Sequence, residues 1–147
     1  YFAKTAGRCI ISNDDVIFSQ ASIYEFEDAA NRNPGAVIIE NDHPIGGFST
    51  FLLNRPAKWM ELGGFDELLN PAYFEDNDAR IRLRLAGNPT KKVRLSNWYH
   101  DNSSTLNNSS EDYKRMHWCM YARNKAYYIK KWGGEPGSER YNQPFGK

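Results

Sequence analysis

The sequence has few of the features that assign a function directly. It contains only two cysteines, Cys9 and Cys119, which form neither a metal-ligand spacing nor a disulfide framework and fit a reducing compartment. Its formal net charge of +1 favours neither nucleic acid nor an anionic membrane as a partner. No apolar run approaches the roughly 20 residues that a membrane helix needs. The sequence therefore predicts a cytoplasmic protein without a transmembrane segment, at most peripheral to a membrane in its full-length form.

The short motifs of four large enzyme classes are also missing. The chain has no GxxxxGKS/T of P-loop enzymes, no GxGxxG of dinucleotide folds, no HExxH of zinc proteases and no GxSxG of serine hydrolases. Each motif holds reactive groups at the spacing that its chemistry requires, so these four functions lose their usual support. With 147 residues, the chain is long enough for one domain with its own core, and residues 1–147 are taken as that domain.

Short apolar runs alternate with amphipathic segments along the chain. Strands are predicted at residues 9–11, 36–39, 50–53 and 93–98, and helices after a cap at Ser22, over residues 54–63 and 76–85, and from a cap at Ser109 to Gly133. In residues 76–85 apolar residues alternate with arginines as in a strand, but the acidic start and the Gly-Asn-Pro stop favour a helix. The apolar positions of the last helix are expected at Tyr113, Met116, Met120, Tyr127 and Ile129. Interleaved strands and helices predict an α/β layered architecture.

Carboxylates are concentrated between residues 63 and 78, among apolar residues. Five of them share this span: Asp66, Glu67, Glu75, Asp76 and Asp78. Acidic residues at a helix start are favoured by the exposed N–H groups and the helix dipole, so capping accounts for the last three. Burial and neighbouring carboxylates raise the pKa of such a group towards that of a general base, whereas a helix N-terminus lowers it. Capping and catalysis both remain open from these residues alone.

A second polar cluster, Asn13-Asp14-Asp15, follows the first predicted strand. Ligands sit beyond the carboxyl ends of strands in open α/β sheets. Oxygen ligands at positions i and i+2 can hold Mg²⁺ or Mn²⁺ while phosphate oxygens complete the coordination shell. His100, at the end of a later predicted strand, is a candidate further ligand because imidazole suits Mn²⁺ better than Ca²⁺. An Asx turn explains the same triplet, so the metal site is a hypothesis at this point.

In order and spacing, these pieces resemble the family-2 glycosyltransferases of the GT-A fold. The run IISNDDV at residues 10–16 resembles the DxD-type strand end of that family. The runs ELGGFDE at 61–67, FEDND at 74–78 and RIRLR at 80–84, followed by Gly87, resemble its GGFDE and ED-x-D-L-x-x-R signature. The run HDNSS from His100 resembles its later histidine element. The resemblance covers residues 3–132.

The resemblance implies a GT-A-type, Rossmann-like mixed sheet flanked by helices. It further implies inverting transfer of a hexosyl or rhamnosyl group from a nucleotide-diphosphate sugar to a hydroxyl of a carbohydrate or other acceptor, in polysaccharide or glycan biosynthesis, with Mn²⁺ or Mg²⁺ as cofactor. The family begins with a further βαβ region that binds the base of the donor. The chain would therefore be the metal-binding and acceptor half of such a domain, with a sheet incomplete at its N-terminus.

Residue roles carry over by position in the motifs. Asp76 would be the base that deprotonates the acceptor hydroxyl, and Asp15 would bind the metal with His100 as a metal or pyrophosphate contact. Asn13 stands where the strictest DxD form has Asp, which makes it an outer polar partner of the metal. The donor would be bordered by residues of the two loops: Asn13, Asp14, Gly46, Gly47 and Phe48. Acceptor-side support would come from the remaining acids: Asp66, Glu67, Glu75 and Asp78.

Two other functions fit parts of the sequence. One is a non-enzymatic relative that binds a sugar or nucleotide without turning it over. The other is a glycoside hydrolase, which needs two carboxyl groups ~5–9.5 Å apart across a sugar but no metal triplet after a strand. The metal-assisted scheme accounts for both clusters, because a cation stabilises the leaving diphosphate and a positioned base adds roughly 10²–10⁴-fold in rate.

Overall fold

The computed structural model of the chain describes residues 7–40, 47–101 and 108–147. The strands in this part of the chain are β1 (Cys9–Ser12), β2 (Val16–Ile17), β3 (Val37–Glu40), β4 (Thr50–Leu53), β5 (Thr90–Val93) and β6 (Tyr99–His100). The helices are α1 (Gln20–Arg32), α2 (Pro56–Glu61), α3 (Glu75–Leu85) and α4 (Glu111–Trp132), with 3₁₀ turns at Glu67–Leu69 and Pro144–Gly146. None of these helices has the length and apolar character to cross a membrane.

A mixed four-stranded sheet lies at the centre of the fold. Its strand order is β1-β4-β3-β5, with β4 antiparallel to β1 and β3 and with β5 parallel to β3. The two inner strands, β3 and β4, are buried along their whole length, as their continuous apolar runs require. A second, two-stranded ladder pairs β2 with β6. The predicted α/β fold with a mixed sheet is confirmed at this level, and its GT-A type stays a prediction.

Helices cover both faces of the sheet because neighbouring strand residues point to opposite sides. On one face α1 packs against β3 and β4 through a cluster of Phe26, Ala29, Ala30, Ile38 and Leu52. On the other face α2 and α3 pack through a cluster of Val37, Ile39, Phe48, Phe51, Leu53, Trp59, Ala79 and Leu83. Position 38 therefore faces α1, and positions 37 and 39 face α3. Residues 76–85 are helical, as their acidic start and Gly stop predicted.

The buried face of α4 differs from the predicted one. Its buried residues are His117, Asn124, Tyr128, Lys131 and Trp132. The expected core positions Tyr113 and Met116 are 36% and 46% exposed. The face was assigned from hydrophobicity, but three of the residues on the buried stripe are polar. Two of them, Asn124 and Lys131, are buried with specific hydrogen-bond partners. Gly133 ends the helix in a left-handed conformation, as predicted.

Three element boundaries also need correction. Ser19, and not Ser22, caps α1; its side chain accepts from the Ser22 N–H at 3.1 Å, and the Ser22 hydroxyl accepts from the Ser19 N–H at 3.0 Å. Ser110, and not Ser109, caps α4. The strand predicted at residues 93–98 is replaced by two short strands on either side of it, β5 and β6. In both cases the predicted serine and the observed one each fit the sequence pattern of a helix N-cap.

Candidate functional site

The structure brings the loop after β1 and the start of α3 to one edge of the sheet. The Asn13 backbone N–H donates to the Ser49 carbonyl at 2.9 Å. The N–H of Phe48, the residue before Ser49, donates to Asp76 Oδ2 at 3.1 Å. A short path of hydrogen bonds therefore connects the predicted metal loop to the predicted base, although the two are far apart in sequence.

Glu40 holds the segment that makes this connection. It is 2% exposed at the end of β3, and its Oε1 accepts from the Ser49 N–H at 2.8 Å and from the Ser49 hydroxyl at 3.2 Å. Its Oε2 accepts from the Thr50 N–H at 3.1 Å. Glu40 was not predicted from the sequence to have a role at this site. The available signal was a carboxylate that directly continues the apolar run of a buried strand, where it needs hydrogen-bond donors.

Asp15 and His100 lie side by side because β2 pairs with β6. Val16 is opposite His100 in this ladder, and the Asp101 N–H donates to the Asp15 carbonyl at 2.9 Å. Asp15 Oδ1 lies 3.1 Å from His100 Nε2, and the two side chains are only 16% and 8% exposed. The sequence proposed these two residues as ligands of one metal ion, and the fold places their ligand atoms in contact.

The Asp15 carboxylate fits a cation at this position. The contact with His100 lacks the geometry of a hydrogen bond, and Oδ1 is buried without a hydrogen-bond partner among the described residues. A buried carboxylate oxygen without a partner is costly. Adjacent ligands on an octahedral ion with bonds of about 2.1 Å lie about 3 Å apart, which matches the separation of Oδ1 and Nε2.

Two protein ligands leave room for a substrate on the ion. In the described ranges, no third His, Cys, Asp or Glu joins Asp15 and His100 in a group that could hold a metal. Mg²⁺ is commonly bound by one or two carboxylates together with phosphate oxygens and water, so a pair of ligands suits it. The side chains of Asn13 and Asp14 are exposed on the same loop. Among the predicted donor-side residues, Gly47 and Phe48 are buried, and Gly46 lies outside the described residues.

Asp76 links α3 to the segment before β4. Its Oδ2 accepts from the Phe48 N–H at 3.1 Å, and its Oδ1 accepts from the Asn77 N–H at 2.7 Å. The helix begins after two residues with left-handed backbone, Tyr73 at φ 75° and Phe74 at φ 71°. Phe74 is the N-cap and makes no side-chain cap bond. The acids of the first turn therefore supply the negative charge that the helix start favours, and Asp76 also makes a long-range contact.

The fold strongly alters the protonation of Glu75. Burial, together with the charge of Asp76, raises the pKa of Glu75 from 4.5 to about 7. Its Oε2 is buried and has no hydrogen-bond partner in the described part of the chain. A carboxyl group with a pKa near neutrality is suited to accept or donate a proton at working pH. The sequence placed Glu75 on the acceptor side only, and its environment makes it a second candidate for proton transfer.

Asp78 lies in a saturated internal network. The residue is fully buried, and its Oδ2 accepts from Arg82 Nε at 2.7 Å. Its Oδ1 accepts from Trp132 Nε1 at 2.9 Å and lies 2.6 Å from Lys131 Nζ. Arg82 also donates to the backbone carbonyls of Leu62 and Gly64, at 2.8 and 2.6 Å. Asp78 thus holds α3, α4 and the loop after α2 together and is closed to an acceptor in this structure.

Asp66 belongs to the same network, and Glu67 does not. Asp66 Oδ2 accepts from Lys131 Nζ at 2.7 Å and from the Tyr127 hydroxyl at 2.8 Å. Burial opposes ionisation, but the hydrogen bonds from Lys131, the Leu68 N–H and Tyr127 outweigh it and lower the pKa of Asp66. Glu67 is exposed. Both acids line an open cleft of about 320 Å³, together with Leu62, Gly63, Phe65, Arg82 and Lys131.

We expect the titration of Glu75 to lower the stability of the protein as pH rises. Its raised pKa means that the folded state binds more protons than the unfolded state between about pH 4.5 and pH 7, so the free energy of unfolding falls across this window. At roughly 1.4 kcal/mol per pKa unit, the loss relative to Glu75→Gln reaches about 3 kcal/mol at pH 7. Urea unfolding of the parent protein and of Glu75→Gln from pH 4 to pH 8 measures this loss of stability. Glu27→Gln, on the exposed face of α1, is the matched control, and a difference that is the same at every pH contradicts the expectation.

Loss of the Asp78 charge should destabilise the fold strongly. Asp78→Asn leaves Arg82 and Lys131 without their shared buried carboxylate, which we expect to cost about 3 kcal/mol in urea unfolding. Asp28→Asn removes one carboxylate of an exposed pair with Arg32 and should cost less than about 0.5 kcal/mol. Equal losses in the two variants would show that the network does not stabilise the fold.

Comparison with known proteins leaves this site to be interpreted from its own residues. No family model, no curated protein and no solved structure matches the chain. The resemblance to family-2 glycosyltransferases therefore rests on the sequence motifs alone.

Proposed function

We propose that this chain forms the metal-binding and acceptor half of a GT-A glycosyltransferase. It would transfer a hexosyl or rhamnosyl group from a nucleotide-diphosphate sugar to a hydroxyl group, with inversion. The observation that carries this proposal is the hydrogen-bonded path from Asn13 through Ser49 and Phe48 to Asp76. This path links the loop of the candidate metal site to a proton acceptor at one edge of the sheet, and the transfer reaction needs both.

The donor would lie between the β1 loop and the segment before β4. Asp15 and His100 would hold Mn²⁺ or Mg²⁺, and this ion, when bound, stabilises the charge on the leaving diphosphate. Asn13 and Asp14 expose their side chains on the same loop, where they are free to contact ribose or phosphate. We expect the reaction to take place in the cytoplasm, where Cys9 and Cys119 remain free thiols.

Proton transfer is assigned to the start of α3. The acceptor hydroxyl oxygen bonds to the anomeric carbon as the bond to the diphosphate breaks, the diphosphate keeps the electron pair, and Asp76 takes the hydroxyl proton. The Phe48 N–H orients Asp76 for this step. The charge of Asp76 is the second cause of the raised pKa of Glu75, so protonation of Asp76 makes Glu75 release its own proton more readily. The two carboxyl groups can therefore act as a coupled pair.

A non-catalytic, donor-binding relative is the second candidate. Both carboxylate oxygens of Asp76 accept backbone N–H groups, and this linking role alone accounts for the residue. Such a protein would bind a nucleotide-diphosphate sugar without transferring or hydrolysing it. Calorimetry with the donor, run beside a turnover assay, separates the two candidates.

Asp76→Asn should abolish most turnover while leaving the fold intact. The amide oxygen can still accept from the Phe48 N–H, but the side chain no longer takes a proton, so we expect a fall in kcat of roughly 10²–10⁴-fold. The full-length protein is assayed with a panel of nucleotide-diphosphate hexoses and rhamnose, before and after EDTA, and again after Mn²⁺ is restored.

The exposed Asp28→Asn is the matched control and should retain full turnover. EDTA should stop the reaction in both the parent protein and the control, and Mn²⁺ should restore it. Metal-independent turnover that survives Asp76→Asn would overturn the mechanism. Donor affinity without any transfer or hydrolysis would favour the non-catalytic candidate.

A further inference from the structure

Five aromatic rings gather where the first half of α4 meets the residues before α3. His117 is at the centre, with ring centroids 4.7 Å from Tyr73, 6.1 Å from Tyr113 and 6.2 Å from Trp118. Tyr121 closes the set, at 5.1 Å from Tyr73 and 5.9 Å from Trp118. Positions 113, 117 and 121 follow one another by one helical turn, so the rings form a continuous surface. We call these five residues the aromatic subsite.

The aromatic subsite is open to solvent along one side. Trp118 is 58% exposed and Tyr113 is 36% exposed, whereas His117 is 8% exposed beneath them. Exposed rings over a buried polar residue differ from an ordinary core, in which the rings themselves are buried. Small-molecule sites commonly combine aromatic walls with a few polar groups that fix the orientation of the ligand.

Two buried polar atoms beside these rings have no partner. His117 Nε2 and Glu75 Oε2 are both buried and form no hydrogen bond within the described ranges. Tyr73 links the two residues: its ring contacts His117, and Glu75 follows it by two positions in sequence. The charge of Glu75 contributes, after burial and Tyr121, to the raised pKa of Tyr73. Buried polar atoms are nearly always hydrogen-bonded, so two unpartnered ones at the same cluster indicate a ligand that carries hydroxyl groups.

We propose that the aromatic subsite binds a neutral pyranose ring, which stacks on Trp118 and Tyr113 and bonds through its hydroxyls to His117 and Glu75. Sugar C–H groups pack on the negative faces of aromatic rings. An apolar peptide would leave both polar atoms unpaired, at the cost of a buried group without a hydrogen bond. A phosphorylated ligand would be repelled by Asp76 and by Glu75 when it is ionised.

This inference rests on the proposed function in one respect: because Glu75 is next to Asp76, a sugar at the aromatic subsite is the acceptor. It then identifies the acceptor class as a carbohydrate. The binding itself needs neither donor nor metal and can be measured without them.

The experiment is a binding titration of the full-length protein with simple sugars. The probes are the methyl glycosides of glucose, galactose, mannose, N-acetylglucosamine and rhamnose, at millimolar concentrations. The readout is the NMR shift of the Trp118 indole N–H, assigned by its loss in Trp118→Phe. We expect at least one glycoside to shift this signal in a saturable way.

Two variants and a control test the assigned contacts. Trp118→Ala and His117→Phe should each weaken binding at least tenfold, followed on the Tyr121 signals, while Met116→Ala should change it less than twofold. Met116 is 46% exposed on the same helix and is outside the cluster. If His117→Phe does not fold, the exposed Trp118→Ala is sufficient for the comparison.

The results separate this proposal from the proposed function. No shift with any glycoside, or binding that Trp118→Ala leaves unchanged, overturns the aromatic subsite. A shift caused only by uridine monophosphate or by an apolar dye also overturns it. Glycoside binding without any transfer reaction keeps the subsite and removes the glycosyltransferase. Metal-dependent transfer to a sugar with an unaltered KM in Trp118→Ala keeps the enzyme and removes the subsite.

Discussion

The buried carboxylate of Asp78 fixes the rotation of α3 about its own axis. It is bound on one oxygen by Arg82 and on the other by Trp132 and Lys131. Desolvating these charges is expensive, and the mutual attraction offsets the cost only because both oxygens of Asp78 have close partners. A rotation of α3 would break the contacts of Asp78 with Trp132 and Lys131 of α4, and those of Arg82 with the carbonyls of Leu62 and Gly64. The network therefore specifies one orientation of α3, whatever its net contribution to stability.

This orientation divides the acids at the helix start between two environments. Glu75 precedes Asp78 by three positions and so lies within about 60° of it around the helix, on the side of Tyr73 and α4. Asp76 precedes Asp78 by two positions and points about 200° away, towards the Phe48 N–H. Adjacent carboxyl groups thus acquire different properties. One accepts two backbone N–H groups, and the other is buried with a pKa of about 7.

Different environments for neighbouring carboxyl groups are how acid and base roles are separated at one pH. Here the separation follows from the angular spacing of residues around α3 and from the orientation that Asp78 gives this helix. It needs no further charged residue at the site. The Lys131 ammonium and the Arg82 guanidinium are held by Asp78, Asp66 and backbone carbonyls, so they are directed to the network. The pKa of Glu75 is raised by burial and by the charge of Asp76.

Local patterns in the sequence predicted the elements whose determinants are local. The β4 strand at residues 50–53 and the end of α4 at Gly133 were predicted as observed, because a continuous apolar run and a left-handed glycine specify them without long-range help. The acidic start of residues 76–85 correctly favoured a helix over a strand. Side-chain oxygens of the loop after β1 were predicted to bind a metal ion together with His100. The pairing of β2 with β6 places Asp15 beside His100.

Errors arose where a distant partner determines the outcome. Ser22 was predicted to cap α1, but the cap is Ser19. Glu25, three positions after Ser22, instead accepts from the Ser96 backbone N–H and hydroxyl. The buried face of α4 includes Lys131 and Asn124, and Asn124 is buried because it donates to the carbonyls of Leu69 and Ala72. The periodicity of apolar residues in the sequence does not reveal these hydrogen-bond partners. Glu40 was missed for the same reason, since its donors come from the next strand.

The unpartnered polar atoms distinguish the site from the network that supports it. Four buried side-chain atoms lack a hydrogen-bond partner among the described residues: Asp15 Oδ1, Glu75 Oε2, Trp98 Nε1 and His117 Nε2. Asp15 and His100 form the candidate metal pair, and the Trp98 ring lies 6.1 Å from that of His100. Glu75 and His117 belong to the start of α3 and to the aromatic subsite.

Residues of the Asp78 network do not appear in this set, although several are equally buried. A stable fold tolerates unmet hydrogen bonds mainly where function requires them, because each costs about 1–3 kcal/mol. They lie near the candidate metal pair, at the start of α3 and in the first half of α4, which are the places to which the proposals assign ligands. The Asp78 network accordingly holds the structure, and binding and proton transfer are expected at residues outside it, where buried polar atoms lack partners.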